Sequence, residues 1–523
     1  MSTFVMGEWI SRRAHIEGDR IALMSKTRRL SYKDFEARTN QVANALYAAG
    51  VRPYDRVALL SLNSVEFLEI VFGVAKLGAI AVPINFRLSS QEVAYILFDS
   101  GATTLFYSSQ LEEVAVTACE AEGVHVRRTI SIGQPSSGAS DLVASDVMAF
   151  EDFVSKGSVD PYPSQVLIDD VAMIMYTSGT TGRPKGAMLT HSNMTWNAIN
   201  LLGGLDGVSH NDITVTSAPL FHIGGLGVFC LPLIYIGATN YIQESFDPNE
   251  TLRLLEEFKA TCLFMVPAMW AALSRVADFD SYDLSSLRFG VSGGAPCPLP
   301  VIDFFIDHSV SFLEGFGMTE TSPMVSVLSS DQIRLRAGSI GRVVMHVDAK
   351  IVGEQGELLS PGVVGELCVR GPNIFKGYWG LGLATKEAIV DGWFHTGDLG
   401  KMDEEGFITL VDRKKDMIIS GGENVYPIEV EQVLFRHEAI MDVAVIGVPD
   451  DKWGETVAAI VVLADGFECT SSEIIDFARS KMARYKAPTI IYFVDALPRN
   501  ATGKVLKRTL RGDFTGTSSS VLR

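Results

Sequence analysis

Between Tyr176 and Ala187 the chain reads Tyr-Thr-Ser-Gly-Thr-Thr-Gly-Arg-Pro-Lys-Gly-Ala. Glycines stand at 179, 182 and 186, hydroxyls at Thr177, Ser178, Thr180 and Thr181, and cations at Arg183 and Lys185. Glycine lets an anion approach the backbone, while hydroxyls and amides donate to its oxygens. This chemistry suits the phosphates of a nucleotide. A Walker loop is excluded, because that motif follows its lysine with Ser or Thr to hold Mg²⁺; here Gly186 follows Lys185 and Pro184 precedes it. A bland surface turn is the alternative. Against it stand a lysine fixed inside the loop and an apolar run, Val171 to Met175, that predicts a buried strand feeding it.

Four further stretches carry compatible groups. Ser292-Gly293-Gly294-Ala295-Pro296 is small enough for a flat base to lie on its backbone. Gly315-Phe316-Gly317-Met318-Thr319-Glu320 offers an aromatic face, a hydroxyl and a carboxylate. His395-Thr396-Gly397-Asp398 sets a carboxylate in a turn, suited to a ribose diol, and Asn500-Ala501-Thr502-Gly503-Lys504 presents a lysine beyond a glycine. Each alone has an ordinary explanation: a turn, a core phenylalanine, a capped turn, a solvated lysine.

The elements that position these groups predict an α/β protein. Ser31 and Asp34 form a capping-box pattern before a helical run, Arg56–Leu60 reads as a buried strand, and Phe67–Leu77 as a helix. Strand patterns at 213–216, 261–266 and 287–292 each end in a Pro-, Gly- or Ala-rich loop, where open α/β sheets place ligands. From about 335 the texture is of short strands, and after Asp412-Arg413-Lys414-Lys415-Asp416 follows a small α+β unit, with a helix near Pro427 and a frayed end after Gly512. The chain of 523 residues is too long for one core, and its net charge of −18 argues against nucleic acid held through phosphates. Six scattered cysteines, no Cys-x-x-Cys pair and no apolar leader fit a reducing cytoplasm. The apolar run Leu226–Ala238 is broken by Pro232 and too short to span a bilayer; peripheral membrane contact stays open.

Taken jointly and in this order, the motifs resemble the adenylate-forming superfamily of acyl-CoA synthetases, aryl-CoA ligases, luciferases and peptide-synthetase adenylation domains. The resemblance runs from Ser31 to Lys504. It implies a large adenylation domain, 1–413, made of α/β layers with a β subdomain; a hinge at 414–416 centred on Lys415; and a small mobile α+β domain, 417–523. It also implies ATP and coenzyme A as co-substrates with Mg²⁺ as cofactor. Thr177, Ser178, Gly179, Thr180, Thr181 and Lys185 would cradle phosphates, with Thr180 among the catalytic groups. Gly294, Ala295, Pro296, Gly315, Phe316, Gly317 and Met318 would receive adenine. Thr319 would meet the α-phosphate, Glu320 would hold Mg²⁺, and Asp398 with Arg413 would take the ribose. Lys504 would bridge carboxylate and α-phosphate in the first half-reaction only, and Ser420, Gly421 and Gly422 would line the coenzyme A channel in the second. Homodimers are common in such families.

The acid is less clearly written. No carboxylate stands in Ala218-Pro219-Leu220-Phe221-His222 to meet an amino group, and no cation in Ile223–Gly227 to meet a second carboxylate. Phe221, His222, Gly227, Met265 and Trp270 are the expected acyl wall, with His222 also a catalytic candidate beside the reacting carboxylate. Apolar surroundings predict an apolar acid, at about 0.8 kcal/mol per buried CH₂. Glycines at 224, 225 and 227 suggest a roomy tunnel, hence a medium- or long-chain fatty acid. The rivals are an aryl-CoA ligase of the coumarate, cinnamate or benzoate kind, and a non-catalytic nucleotide-binding relative.

Overall fold

The computed structural model describes residues 4–134, 147–163, 165–177, 183–205, 207–336, 338–413, 416–420, 423–450, 453–464, 466–499 and 505–515. By compactness the chain divides into two units, Met1–Asp348 with Arg370–Phe394, and Ala349–Val369 with His395–Arg523.

The first unit contains two sheets interleaved with helices. In one, strands Thr239–Ile242, Ile213–Thr216, Cys262–Met265, Phe289–Gly293 and Ser311–Gly317 are parallel neighbours, and Met324–Leu328 returns antiparallel. In the other, Arg128–Ile132, Thr104–Ser108, Arg56–Leu60, Ile80–Ile84 and Val171–Thr177 lie in parallel, and Lys185–Thr190 folds back on Val171–Thr177. Strands Arg56–Leu60, Ile80–Ile84 and Thr104–Ser108 are buried almost throughout, as a parallel sheet covered on both faces requires.

The sequence signals act as expected at several helix ends. Ser31 and Asp34 form the predicted capping box. The helix expected from Phe67 begins at Val65, because the Ser64 hydroxyl accepts the Phe67 N–H, and Gly78 ends it at φ 77°. The apolar run from Leu226 breaks into a π-helical turn, Leu226–Cys230, and a helix, Leu231–Ile236. No helix among the described residues is long and apolar enough to cross a membrane.

Of the strands that make up the second unit, most of Asp348–Val352, Gly365–Arg370 and Trp393–Met402 and all of Ile408–Arg413 adjoin in that order. The predicted α+β unit follows, its sheet built on the long hairpin Ile440–Asp450 and Gly454–Leu463. The frayed end expected from Gly512 is instead helical to Thr515, because Leu510 and Phe514 share one face; Leu510 is buried and Phe514 lies 4.4 Å from the Tyr492 ring. No disulfide joins any cysteine.

Candidate active site

The phosphate loop is carried by the antiparallel pair Val171–Thr177 and Lys185–Thr190, whose register sets Thr177 opposite Lys185. Ser178, Gly179, Thr180, Thr181 and Gly182 lie outside the described residues. The flanks are tied down: Tyr176 donates to Asp99 at 2.6 Å, and Tyr95 donates to the Pro184 carbonyl at 3.1 Å. Gly186 is glycine for a packing reason, since a Cβ there would stand 2.6 Å from Ile174 Cγ2 and 3.2 Å from the Tyr176 ring.

Parallel strands Phe289–Gly293 and Ser311–Gly317 end side by side, pairing Gly293 with Gly315. Their carboxyl ends therefore bring the Ser292–Pro296 loop beside Phe316, the two stretches expected around adenine. Gly294 holds φ 88°, a left-handed turn that a side chain would strain. Three residues on, Cys297 N–H donates to Glu314 Oε1 at 2.9 Å, closing the loop onto its neighbour. Burial pushes the Glu314 carboxyl up to about 7, with the Cys297 amide opposing.

Beyond Gly317 the chain makes a tight turn, Thr319–Thr321, held by the bond from Met318 N–H to the Pro323 carbonyl. Glu320 is half-buried in it. Its carbonyl accepts Phe375 N–H at 2.9 Å, and its Oε1 accepts the Tyr378 hydroxyl at 3.0 Å. The ammonium of Lys185 lies 5.1 Å from the centre of the same tyrosine ring. Tyr378 thus joins the lysine expected to hold phosphate to the carboxylate expected to hold Mg²⁺. Sequence reading passed it over; its only signal is its place on Gly377–Tyr378, a strand pairing with Ala187 and Met188. Among the described residues no group of three or more His, Cys, Asp or Glu forms a metal cluster. A lone carboxylate beside a phosphate loop fits Mg²⁺, which retains water and takes ligands from substrate phosphates.

The acyl wall differs in detail from expectation. His222 is half-buried, its ring 4.3 Å from that of Phe221, which in turn meets Phe86 edge-on at 5.2 Å. Its Nε2 has no hydrogen-bond partner among the described residues, and burial of the ring, aided by the charge of Arg87, pushes its pKa down to about 3. The ring is neutral at physiological pH. Phe264, not anticipated, lies 3.2 Å from where a Cβ on Gly224 would stand and 3.3 Å from one on Gly293. Met265, the residue expected there, alternates with Phe264 along the strand and so faces the other way; it is fully buried. Trp270 is a core side chain: its indole N–H donates to the Val291 carbonyl at 3.3 Å, and Phe305 and Phe312 pack edge-on against it. Gly227 carries the close approach of Pro323, whose Cδ would stand 2.7 Å from an added Cβ.

In the second unit Asp398 is buried and paired across strands with Arg413. Its turn is pinned from the neighbouring strand. Thr396 donates to the Leu367 carbonyl at 2.7 Å and accepts Asp398 N–H at 3.1 Å, while Gly397 N–H donates to Glu366 Oε1 at 3.2 Å. His395 Nδ1 stands 3.3 Å from Glu366 Oε2. One bond crosses the segment expected to be a hinge, Ile428 N–H donating to Asp412 at 3.1 Å, and Asp416 at its end pairs with Arg511 at 2.9 Å. Ser420 ends the strand Ile418–Ser420. Lys415, Gly421, Gly422 and Lys504 lie outside the described residues.

Residues 10–379 match the family model described as AMP-binding enzyme, and residues 429–504 that of the AMP-binding enzyme C-terminal domain. A feruloyl-CoA synthase of an Amycolatopsis species is 41% identical over 509 residues, covering 97% of this chain and 99% of that protein. The long-chain-fatty-acid–CoA ligase FadD13 of Mycobacterium tuberculosis is 37% identical over 489 residues, 94% of each chain. In three dimensions the chain resembles an anthranilate CoA ligase solved with anthranoyl-AMP, with a TM-score of 0.89 and 29% identity over 97% of each chain. Motifs, fold and relatives agree: the chain belongs to the AMP-binding enzymes of the adenylate-forming superfamily.

Proposed function

We propose that this enzyme is an ATP-dependent acid–CoA ligase acting on an apolar carboxylic acid, with a compact aromatic acid favoured over a long aliphatic one. The filling of the glycine positions carries that choice. A Cβ on Gly224 would meet the Phe264 ring, one on Gly225 the Pro219 carbonyl, and one on Gly227 Pro323. Close packing accounts for these glycines, so the volume argument for a long chain falls away. Phe86, Phe221 and Phe264 stand along the wall instead, and the 41% relative is named for an aromatic acid. A fatty acid is the second reading, supported by the 37% relative.

In the first half-reaction a carboxylate oxygen attacks the α-phosphorus, and the bond to the bridging oxygen breaks as pyrophosphate leaves. Lys185 and the loop hydroxyls hold the departing phosphates, and Lys504 neutralises charge between carboxylate and α-phosphate. Glu320 would hold Mg²⁺, which supplies further neutralisation of the triphosphate. Neutral His222 leaves the acid's negative charge unquenched for attack. In the second half-reaction the coenzyme A sulfur attacks the acyl carbon, AMP departs with the oxygen, and the thiol proton is released. Lys504 must then give way to Ser420–Gly422 through rotation near Lys415, which would break the bond of Asp412 to Ile428, while Asp416 and Arg511 would move together.

The test is a panel of cinnamates, benzoates, octanoate and palmitate, scored by pyrophosphate release with and without coenzyme A. Palmitate outperforming every aromatic acid would overturn the aromatic choice. Absence of acid-dependent pyrophosphate release would overturn the ligase.

A further inference from the structure

The π-helical turn Leu226–Cys230 creates a backbone problem. Leu231 N–H bonds to the Leu226 carbonyl, five residues back, rather than to Gly227 as an α-helix would have it. The next donor in the π pattern would serve Gly227, but that residue is Pro232, which has no N–H. The Gly227 carbonyl, buried in the acyl wall, therefore has no donor within its own helix.

Asn197 supplies it. From helix His191–Gly204 its Nδ2 donates to the Gly227 carbonyl at 2.8 Å, and the side chain is buried. The other end of the same amide accepts Met324 N–H at 3.1 Å. Met324 directly follows Ser322-Pro323, which close the turn holding Thr319 and Glu320. One planar group thus spans the acyl wall and the turn expected at the α-phosphate, using its donor on one and its acceptor on the other. The two surfaces also touch, since Gly227 admits Pro323 where a Cβ would not fit. Asn373 braces the far side, donating to the Thr321 and Met324 carbonyls at 2.7 and 2.8 Å.

We propose that Asn197 is a specificity-determining positioning residue: it fixes the acyl wall against the Thr319–Met324 turn, and so sets which acids present their carboxylate to the α-phosphate. The proposal rests on the acid–CoA ligase reading.

Asn197→Asp keeps the acceptor for Met324 but turns an oxygen toward the Gly227 carbonyl. On the full-length enzyme, KM for the acid and KM for ATP are measured separately with the best acid of the panel, alongside the melting temperature. The expected result is an acid KM raised about tenfold, with the ATP KM held within about twofold. Gly227→Ala, which presses on Pro323 while leaving Asn197 intact, should give the same acid-selective shift and serves if the Asp variant folds poorly. A merely structural role predicts less folded enzyme with both KM values unchanged; that result in the folded variants overturns the proposal, as does a parallel rise in both. A wild-type enzyme that forms no thioester with any acid sinks the ligase reading instead, and this inference with it.

Discussion

Tyr378 donates its hydroxyl to Glu320 Oε1 at 3.0 Å, across a separation in sequence that no motif spans. The Lys185 ammonium faces the same ring. One side chain therefore orients the carboxylate expected to hold Mg²⁺ and the lysine expected to hold phosphate. Tyr378→Phe keeps the ring and deletes the bond. The KM for Mg-ATP should rise about three- to tenfold, the net worth of one ordinary hydrogen bond, with the acid KM unchanged. Pyrophosphate release at varied Mg-ATP measures this, and an unaltered ATP KM would remove Tyr378 from the site.

Lys504→Ala should abolish pyrophosphate release from acid and ATP while largely sparing thioester formation from supplied acyl-AMP. A bulky replacement of Gly422 should do the reverse, letting acyl-AMP accumulate. If both variants lose both half-reactions equally, the proposed exchange between Lys504 and Ser420–Gly422 is refuted.

Phe264 occupies the space beside Gly224 and Gly293. Phe264→Ala should admit longer acids, each additional buried CH₂ contributing about 0.8 kcal/mol. The ratio of kcat/KM for octanoate over a cinnamate should therefore rise at least about tenfold. A ratio that stays fixed would mean the ring does not bound the acyl space.

His191 is buried, its Nδ1 accepting Met6 N–H at 3.3 Å. Burial pushes its pKa down to about 4 from the ordinary 6.5, with Asp170 opposing. The folded state thus favours the neutral ring. Its contribution to stability is complete above pH 6.5 and is lost as pH falls toward 4. His191→Gln should flatten the acid limb of stability against pH by up to about one proton. Denaturant unfolding from pH 7.5 to 4.5 reads the slope; identical slopes would assign acid sensitivity elsewhere.

The family was legible in sequence because each of its motifs is carried by contiguous residues. A phosphate-binding loop needs glycines and hydroxyls next to one another, and capping boxes such as Ser31–Asp34 are local hydrogen bonds. The acyl wall was legible only in part. Period-two alternation gives two faces to the strand Cys262–Met265, but which face meets the ligand depends on which helix covers the other. Phe264, not Met265, lies beside Gly224 and Gly293, and Trp270 packs in the aromatic core with Phe305 and Phe312.

Composition and local pattern thus determined the fold class, the order of the nucleotide motifs and the family. Tertiary structure alone decided which protein atoms stand where a Cβ would be at the glycines 224, 225 and 227, since a missing Cβ is the same in sequence whatever fills the space. It alone placed Tyr378 on Glu320 and Asn197 between Gly227 and Met324. Such bonds join one side chain to backbone or carboxylate groups far along the chain, and they exist only once the sheets have brought those segments together.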